Sequence, residues 1–460
     1  MRAYHCGFHD MNTIFLDNSI GQLIQKFKKK KLHPRDAFKA ALLNIHELDP
    51  KYFAWVVHAG DAMLARIEKE VEEFGINEAR LLECIPVGVK DIYNTADFPT
   101  QMGSPLWKDF TPGNDARVVY HLKRAGANIV GKTVTAEFAV HALDKTLNPY
   151  DATRTPGTSS SGSAVAVALG QVPVATGTQT AGSIVRPASF CGVYGAKPSF
   201  GTIPRTGMLK TTDSLDQCGF LVIHAEDLRR VFDAVRVHGE NYPKSHAALS
   251  DPKRQEKKKG RKWRVAFAKT HTWEHAPEYA KAAIEKFIKR LGKEKGIDIT
   301  EAALPRGMEK THEIHQTIYD KSLAYYFQGE YKQSDFVSPI MNEIIVRGNS
   351  IAVSDFRAAI EQQNQMIRDM DRFFSKYDIL ISLSTAGEAP PREITESPDP
   401  ALMWTLTHLP VVSVPQFRSP AGLPFGMQIV ARKYNDYLLF NFLDELLSLG
   451  LVPKKSLSPI

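Results

Sequence analysis

Lys90 follows directly on the apolar run Ile85, Pro86, Val87, Gly88, Val89 and is followed by Asp91, so the stretch IPVGVKD sets an ammonium at the end of an expected buried strand. A free lysine titrates near 10.4, and burial or hydrogen bonding to its neutral form lowers that toward the range where an amine works as a base. A strand-end lysine is also an ordinary structural residue, so its chemistry depends on its neighbours. The second chemistry-bearing stretch is residues 157–201, GTSSSGSAVAVALGQVPVATGTQTAGSIVRPASFCGVYGAKPSFG. Two small-residue loops, 157–163 and 177–183, bracket an apolar run at 172–175, and each precedes a segment able to begin a helix. Glycine-rich loops and helix N-termini present free backbone N–H groups, which suits an anionic ligand or a developing oxyanion.

Two familiar uses of such loops fail on spacing. A phosphate-binding loop requires G-x-x-x-x-G-K-[ST], and Ser163 stands where the lysine belongs after Gly157 and Gly162. A G-x-S-x-G elbow does not occur around Ser159, Ser160, Ser161 or Ser183. The residues alone leave open an amide-lined site served by Lys90 or a flexible serine-rich loop. His5 with His9, His271 with His275, and His312 with His315 have ligand-like spacings but lack a third ligand nearby, so surface or loop histidines and no metal are expected. Cys191 and Cys218 are expected as small buried residues rather than nucleophiles.

The elements that must position these groups follow from the hydrophobic pattern of the 460 residues, enough for two or three domains or one large α/β domain. The first eighty read as a helical layer: Asn18 is a candidate cap for a helix bearing Ile20, Leu23, Ile24 and Phe27, and Pro34 suits the first turn of the next, with Phe38, Leu42 and Ile45 inward. From about residue 81 to 240, short apolar runs at 85–89, 128–130 and 172–175 alternate with helical segments such as 116–125, the signature of parallel strands with crossovers. Residues 241–262 are polar and basic and read as a loop. From 263 to 460 the α/β texture resumes, with strands expected at 263–268, 378–383 and 410–414, a helix at 277–291 and a helical block at about 310–377.

The formal charge is +7, yet Lys26 with Lys28 to Lys31 and the segment 253–264 together carry +12, leaving −5 on the rest. Neither cluster is interleaved with the stacking aromatics of single-strand binders, so a solvated helix end, a solvated loop and no nucleic-acid partner are expected. Four cysteines without a C-x-x-C pair, no apolar run of eighteen and no signal pattern point to a cytoplasmic protein that does not enter the membrane.

Lys90 in PVGVKD, Ser159 in SSSGSA, and Ser183 in GTQTAGS followed by RPASFCGVYGAKPSFG together resemble the amidase signature family. The likeness extends to GKTVTAEFA at 131–139, NPYDATRTPG at 148–157, SLDQCGF at 214–220, and LPVVSVPQF and GLPFGMQIVARKYNDYLLF near the end, about four-fifths of the chain in order. It implies a large mixed, mainly parallel β-sheet covered by helices on both faces, and a Ser-cisSer-Lys triad. Ser183 would be the nucleophile, Ser159 the bridging serine on a cis peptide bond and Lys90 the base. The backbone N–H groups of Thr180, Ala181, Gly182 and Ser183 would form the oxyanion hole, with Ser160 supporting Lys90, and no cofactor would be needed.

The family loop commonly reads G-T-D-T-G-G-S-I-R, and this chain has Gln179 for the aspartate, Ala181 for a glycine, and Val185 for the arginine with Arg186 one place later; Thr158 also replaces a common glycine. Both ends of an ion pair have changed together, which fits a neutral replacement in which Gln179 hydrogen-bonds behind the loop. The activity implied is hydrolysis of a small-molecule carboxamide to an acid plus ammonia or an amine, by a stand-alone enzyme, with a homodimer as one assembly; the alternative is the glutaminase subunit of a tRNA-dependent amidotransferase. Met102, Phe138, Tyr319, Tyr325 and Tyr326 are candidate pocket residues, and the aromatics favour an apolar or aryl acyl group.

Overall fold

The computed structural model describes residues 13–394 and 396–459. His5, His9 and Cys6 lie outside the described residues.

Among the described residues, eleven strands form a single sheet. In chain order they are β1 (Trp55–His58), β2 (Pro86–Lys90), β3 (Asn128–Thr133), β4 (Val174–Gln179), β5 (Tyr194–Lys197), β6 (Gln217–Val222), β7 (Trp263–Phe267), β8 (Ile297–Glu301), β9 (Ile379–Leu383), β10 (Val411–Arg418) and β11 (Pro424–Ala431). Their order across the sheet is β1-β3-β2-β4-β6-β5-β10-β11-β9-β7-β8. Every residue of β2, β4, β5, β6, β9 and β11 is buried. Alternate side chains point to opposite faces, so helices must cover both. The edge strands β1 and β8 keep only their first residue buried.

The sheet is mixed, but it is not mainly parallel: β3-β2-β4 and β9-β7-β8 run parallel, and the other six pairings are antiparallel. A strand buried on both faces reads as a continuous apolar run in either orientation, so the sequence pattern does not register the difference. The centre of the sheet, where β4 meets β6 and β5 meets β10, is antiparallel.

Within the first eighty residues the helix Ile20–Lys28 is capped by Ser19, not Asn18: the Ser19 hydroxyl accepts from Gln22 N, and Gln22 reaches back in a capping box. Asn18 instead donates to Ile14 O. The helix Pro34–Tyr52 starts at its proline. That layer also holds β1, a strand absent from the helical expectation, whose Trp55-Val56-Val57 run pairs with β3. Residues 241–262 are not wholly a loop, for Pro243–Leu249 and Pro252–Gln255 are short helices with proline in the first turn. Gln255 is buried, and Arg261 and Arg264 share the Asp378 carboxylate. Lys28 to Lys31 are exposed at their helix end.

Candidate active site

Parallel pairing of β2 with β4 (Val87↔Val174, Gly88↔Ala175) carries Lys90 to the end of its strand beside the hydroxyls of β4. Lys90 N donates to Thr176 Oγ1 at 2.8 Å, fixing the strand end. Its fully buried Nζ lies 2.7 Å from Ser159 Oγ, 3.0 Å from Ser160 Oγ and 2.9 Å from Thr178 Oγ1. Burial holds this amine well below the usual lysine range, with the more distant Asp144 and Asp216 carboxylates opposing. Among the described residues no carboxylate lies within ion-pair distance of it, in contrast to Lys132 beside Asp91.

Ser159 and Ser160 stand just before the helix Ser161–Ala168, and the Thr158–Ser159 peptide bond is cis. Gly157 before it has φ +85°, and a side chain there would meet Pro187, so any other residue at this position would be strained. Ser183 closes the turn between β4 and the helix Val185–Phe190. With Thr180 and Ala181 it lines a cavity of about 440 Å³.

The turn is pinned from behind. Gln179 Oε1 accepts from Ile184 N at 2.9 Å and Val185 N at 3.0 Å, while Gln179 Nε2 donates to Thr405 Oγ1 at 3.0 Å. These bonds are neutral. Arg186, next in the chain after Val185, ion-pairs with Glu396 at 2.8 Å and Asp399 at 3.0 Å, and its Nη2 donates to Thr158 O at 2.9 Å. Burial raises both carboxyls, against the pull of Arg186. The Asp399 carboxylate packs on Gly182 so closely that a Cβ there would fall 1.6 Å from Oδ2.

The cavity wall differs from the aromatic one expected. Tyr319 lines it, but Tyr325 is 70% exposed and Tyr326 bonds to Asp213 instead. Met102 and Phe138 are not on the wall either: Phe138 N donates to Met102 O at 2.8 Å, and the Phe138 ring packs 4.7 Å from Phe327 in the core. What lines the cavity is a partly apolar surface, including Val140, Leu143, Ile340 and Leu402, set among charges of both signs, Arg186, Arg347, Arg392, Asp320, Glu393, Glu396 and Asp399. Arg347 is paired with Asp320 at 2.9 Å.

His312 and His315 are not surface or loop residues. They lie on the helix Thr311–Tyr326 and line the cavity, and His315 Nε2 is 2.8 Å from Thr180 O. His271 Nε2 contacts His312 Nδ1 at 2.6 Å. No group of three or more histidine, cysteine or acidic side chains placed to hold a metal occurs among the described residues. Cys191 and Cys218 are buried, with burial pushing the Cys218 thiol up to about 11 and Cys191 higher. Sequence reasoning missed Thr178, Thr405, Glu396 and Asp399, and placed His315 on a surface or loop. The inward spacing of His312 and His315 on one helix face was the available signal, while nothing in the sequence marked Thr405.

A mixed sheet that delivers a buried amine to a serine beside a glycine-rich turn defines an enzyme of the class that hydrolyses carbon–nitrogen bonds. The chain belongs to the amidase family, whose model matches residues 36–440. It is 29% identical to the A subunit of the glutamyl-tRNA(Gln) amidotransferase of Cyanothece sp., over 92% of this chain and 96% of that one. It is 30% identical to the corresponding protein of Synechococcus elongatus, over 90% and 94%. Among solved structures, a component of a vestigial protein complex bearing on the origins of an s-triazine catabolic enzyme superposes with TM-score 0.84 at 25% identity, covering 95% of this chain and all of that one. The peptide amidase of Stenotrophomonas maltophilia shares the fold, with TM-score 0.80 at 23% identity over 95% and 98%. No helix among the described residues is long and apolar enough to cross a membrane.

Proposed function

We propose that this protein hydrolyses a carboxamide through an acyl-enzyme on Ser183, with Ser159 as the bridging hydroxyl and Lys90 as the base. The observation that carries the reading is Lys90 Nζ, buried at 2.7 Å from Ser159 Oγ among hydroxyl partners and held below its ordinary titration range. A serine hydroxyl is a weak nucleophile until a base takes its proton. Neutral Lys90 accepts a proton from Ser159 as Ser159 accepts one from Ser183, and Ser183 Oγ adds to the amide carbon. Backbone N–H groups at 180–183 stabilise the oxyanion, an interaction worth roughly 3–4 kcal/mol per donor where one has been removed. The relay runs back to protonate the departing nitrogen, and the C–N bond breaks. Water then attacks the ester by the same relay and releases the acid.

Two settings share this chemistry. The relatives support the glutaminase subunit of a tRNA-dependent amidotransferase over a stand-alone amidase, since they carry that subunit's name and align over nearly the full length of both chains. The test is ammonia release from glutamine and from a panel of neutral amides, with intact-mass detection of a fluorophosphonate adduct. A single adduct in the wild type that disappears in Ser183→Ala supports the nucleophile, and an undiminished adduct in Ser183→Ala refutes it. Glutamine turnover that requires a co-purified second protein supports the amidotransferase setting; a lone homodimer active on neutral amides and inert to glutamine refutes it.

A further inference from the structure

We propose that Thr405 and His315, neither of them in the signature motifs, are the positioning residues of the oxyanion hole: Thr405, from behind the nucleophile turn, holds the carbonyl of Ala181, His315, from the cavity wall, holds that of Thr180, and together they set the directions of the Gly182 and Ala181 N–H groups toward the reacting carbonyl. The proposal rests on the reading of Ser183 as nucleophile. Its basis is the planarity of the trans peptide, in which the C=O of one residue and the N–H of the next point in opposite directions. A donor that fixes a carbonyl on one side of the turn therefore fixes an N–H on the other.

Three successive carbonyls are held in this way. Thr180 O lies 2.8 Å from His315 Nε2, Ala181 O accepts from Thr405 Oγ1 at 2.6 Å, and Gly182 O accepts from Arg186 N at 2.9 Å. The amides thereby directed to the opposite side are those of Ala181, Gly182 and Ser183, and Ala181 and Ser183 line the cavity. The third donor belongs to the backbone of the following helix and comes with any residue at 186. The first two are side-chain donors, and they are where this chain's own residues set the geometry.

The polarity of the Thr405 bond is fixed by its neighbours. Gln179 Oε1 takes two backbone N–H groups, from Ile184 and Val185, so the other end of the amide, at 3.0 Å from Thr405 Oγ1, is NH₂. Thr405 Oγ1 therefore accepts from Gln179, and its one proton is left for Ala181 O. Thr405 is fully buried in the helix Leu402–Leu406, whose position is held in turn by Gln217 Nε2 on Thr405 O at 3.0 Å, and Lys197 Nζ orients Gln217 at 2.6 Å. His315 meets a carbonyl oxygen, so its Nε2 carries the proton. Burial pushes its pKa down to about 4, keeping the ring neutral with that N–H committed, and Tyr319 stacks on it at 5.5 Å.

Oxyanion contacts exist only in the transition state, so misaiming them lowers kcat and leaves KM in place. The variants are Thr405→Val, which keeps shape and removes the hydroxyl, and His315→Phe, which keeps a ring and removes the donor. Each is expected to lower kcat about ten- to hundredfold with KM changed less than about twofold, below the full loss seen on deleting a direct donor. Thr405→Ser and His315→Gln, which retain a donor, are expected to recover most of that loss. Thr407→Val is the control: it deletes another buried hydroxyl of the same segment, one bonded to Met403 O rather than to the turn, and should cost stability without lowering kcat of the folded enzyme. Unchanged kcat in Thr405→Val and His315→Phe, or an equal fall in Thr407→Val, overturns the proposal while an inactive Ser183→Ala keeps the nucleophile reading intact. Activity surviving in Ser183→Ala instead overturns that reading and the proposal with it.

Discussion

Replacing Lys90 by methionine removes a base and, in the same stroke, a titration that links stability to pH. Burial lowers the Lys90 amine well below the usual lysine range, and the proposed mechanism requires the folded protein to carry it neutral near pH 7, while the unfolded chain protonates it up to about 10.4. The unfolded state then binds the extra proton, and this group makes the fold more stable as pH rises, by about 1.36 kcal/mol per unit between its lowered folded pKa and 10.4. From pH 7 to pH 9 the wild type should gain about 2.7 kcal/mol that Lys90→Met does not. Absolute stability at one pH is a poorer readout, because two terms oppose. Holding a lysine neutral at pH 7 costs about 4.6 kcal/mol, which the methionine relieves. Against that, the hydroxyls of Ser159, Ser160 and Thr178 each lose a partner, at about 1–3 kcal/mol for any left unsatisfied. The assay is urea unfolding of both proteins at pH 7, 8 and 9, read as the difference between them. The other buried lysines, Lys132 and Lys197, are common to both and cancel. A difference that stays flat across those two units would mean that Lys90 remains charged in the fold. A charged lysine cannot accept the Ser159 proton, and the mechanism would fall with it, as it would if Lys90→Met kept wild-type turnover.

Three further substitutions probe the surroundings. Gln179→Asp puts a carboxylate at a fully buried position, and Arg186, on the following helix, is already committed to Glu396 and Asp399; a loss of about 3–5 kcal/mol and of activity is expected in denaturant unfolding and turnover, and full activity with unchanged thermal stability refutes it. Arg186→Met strands those two carboxyls and should cost a similar amount near pH 7.5; because burial raises both, the deficit in thermal midpoint should shrink toward pH 5 as they protonate, and a deficit that grows on acidification contradicts the pairing. Gly182→Ala drives a methyl into the Asp399 carboxylate, so soluble protein of normal kcat would contradict the packing seen there.

The site was legible where backbone chemistry demands particular residues, and obscure where the partner arrives from far along the chain. Lys90, Ser159 and Ser160 meet because the strand run and the small-residue loop fix their own local geometry, and both are continuous in sequence. Glu396, Asp399 and Thr405 reach the same turn from more than two hundred residues away, on a segment with no periodic pattern. Met102 and Phe138 misled because an apolar residue next to a motif looks the same whether it faces a substrate or the core. Tyr325 and Tyr326 misled for a related reason: on that helix Tyr319 and the histidines turn inward to the cavity, while Tyr325 points to solvent and Tyr326 bonds to Asp213. Orientation of the strands was lost to double-sided burial, and β1 to its shortness, four residues inside an otherwise helical stretch.

Three lysines are completely buried among the described residues, and their partners separate the one suited to proton transfer from the other two. Lys132 sits 3.0 Å from the Asp91 carboxylate and donates to the carbonyls of Tyr93 and Pro99 and to Thr100 Oγ1. Lys197 donates to Gln217 Oε1 and to the carbonyl of Leu409. Carboxylates, carbonyls and the amide oxygen accept hydrogen bonds and cannot give one, so they favour a nitrogen with its protons on; burial alone works the other way, bringing Lys197 to about 7. The partners of Lys90 are hydroxyls, which accept from an ammonium and donate to a free amine with equal ease. Its surroundings are therefore satisfied in both protonation states, and a proton can arrive and leave without stranding a buried polar group. That property, more than burial, is what a base in a closed interior requires, and it explains why three serine and threonine hydroxyls surround the Lys90 amine where an acid would have bound it more tightly.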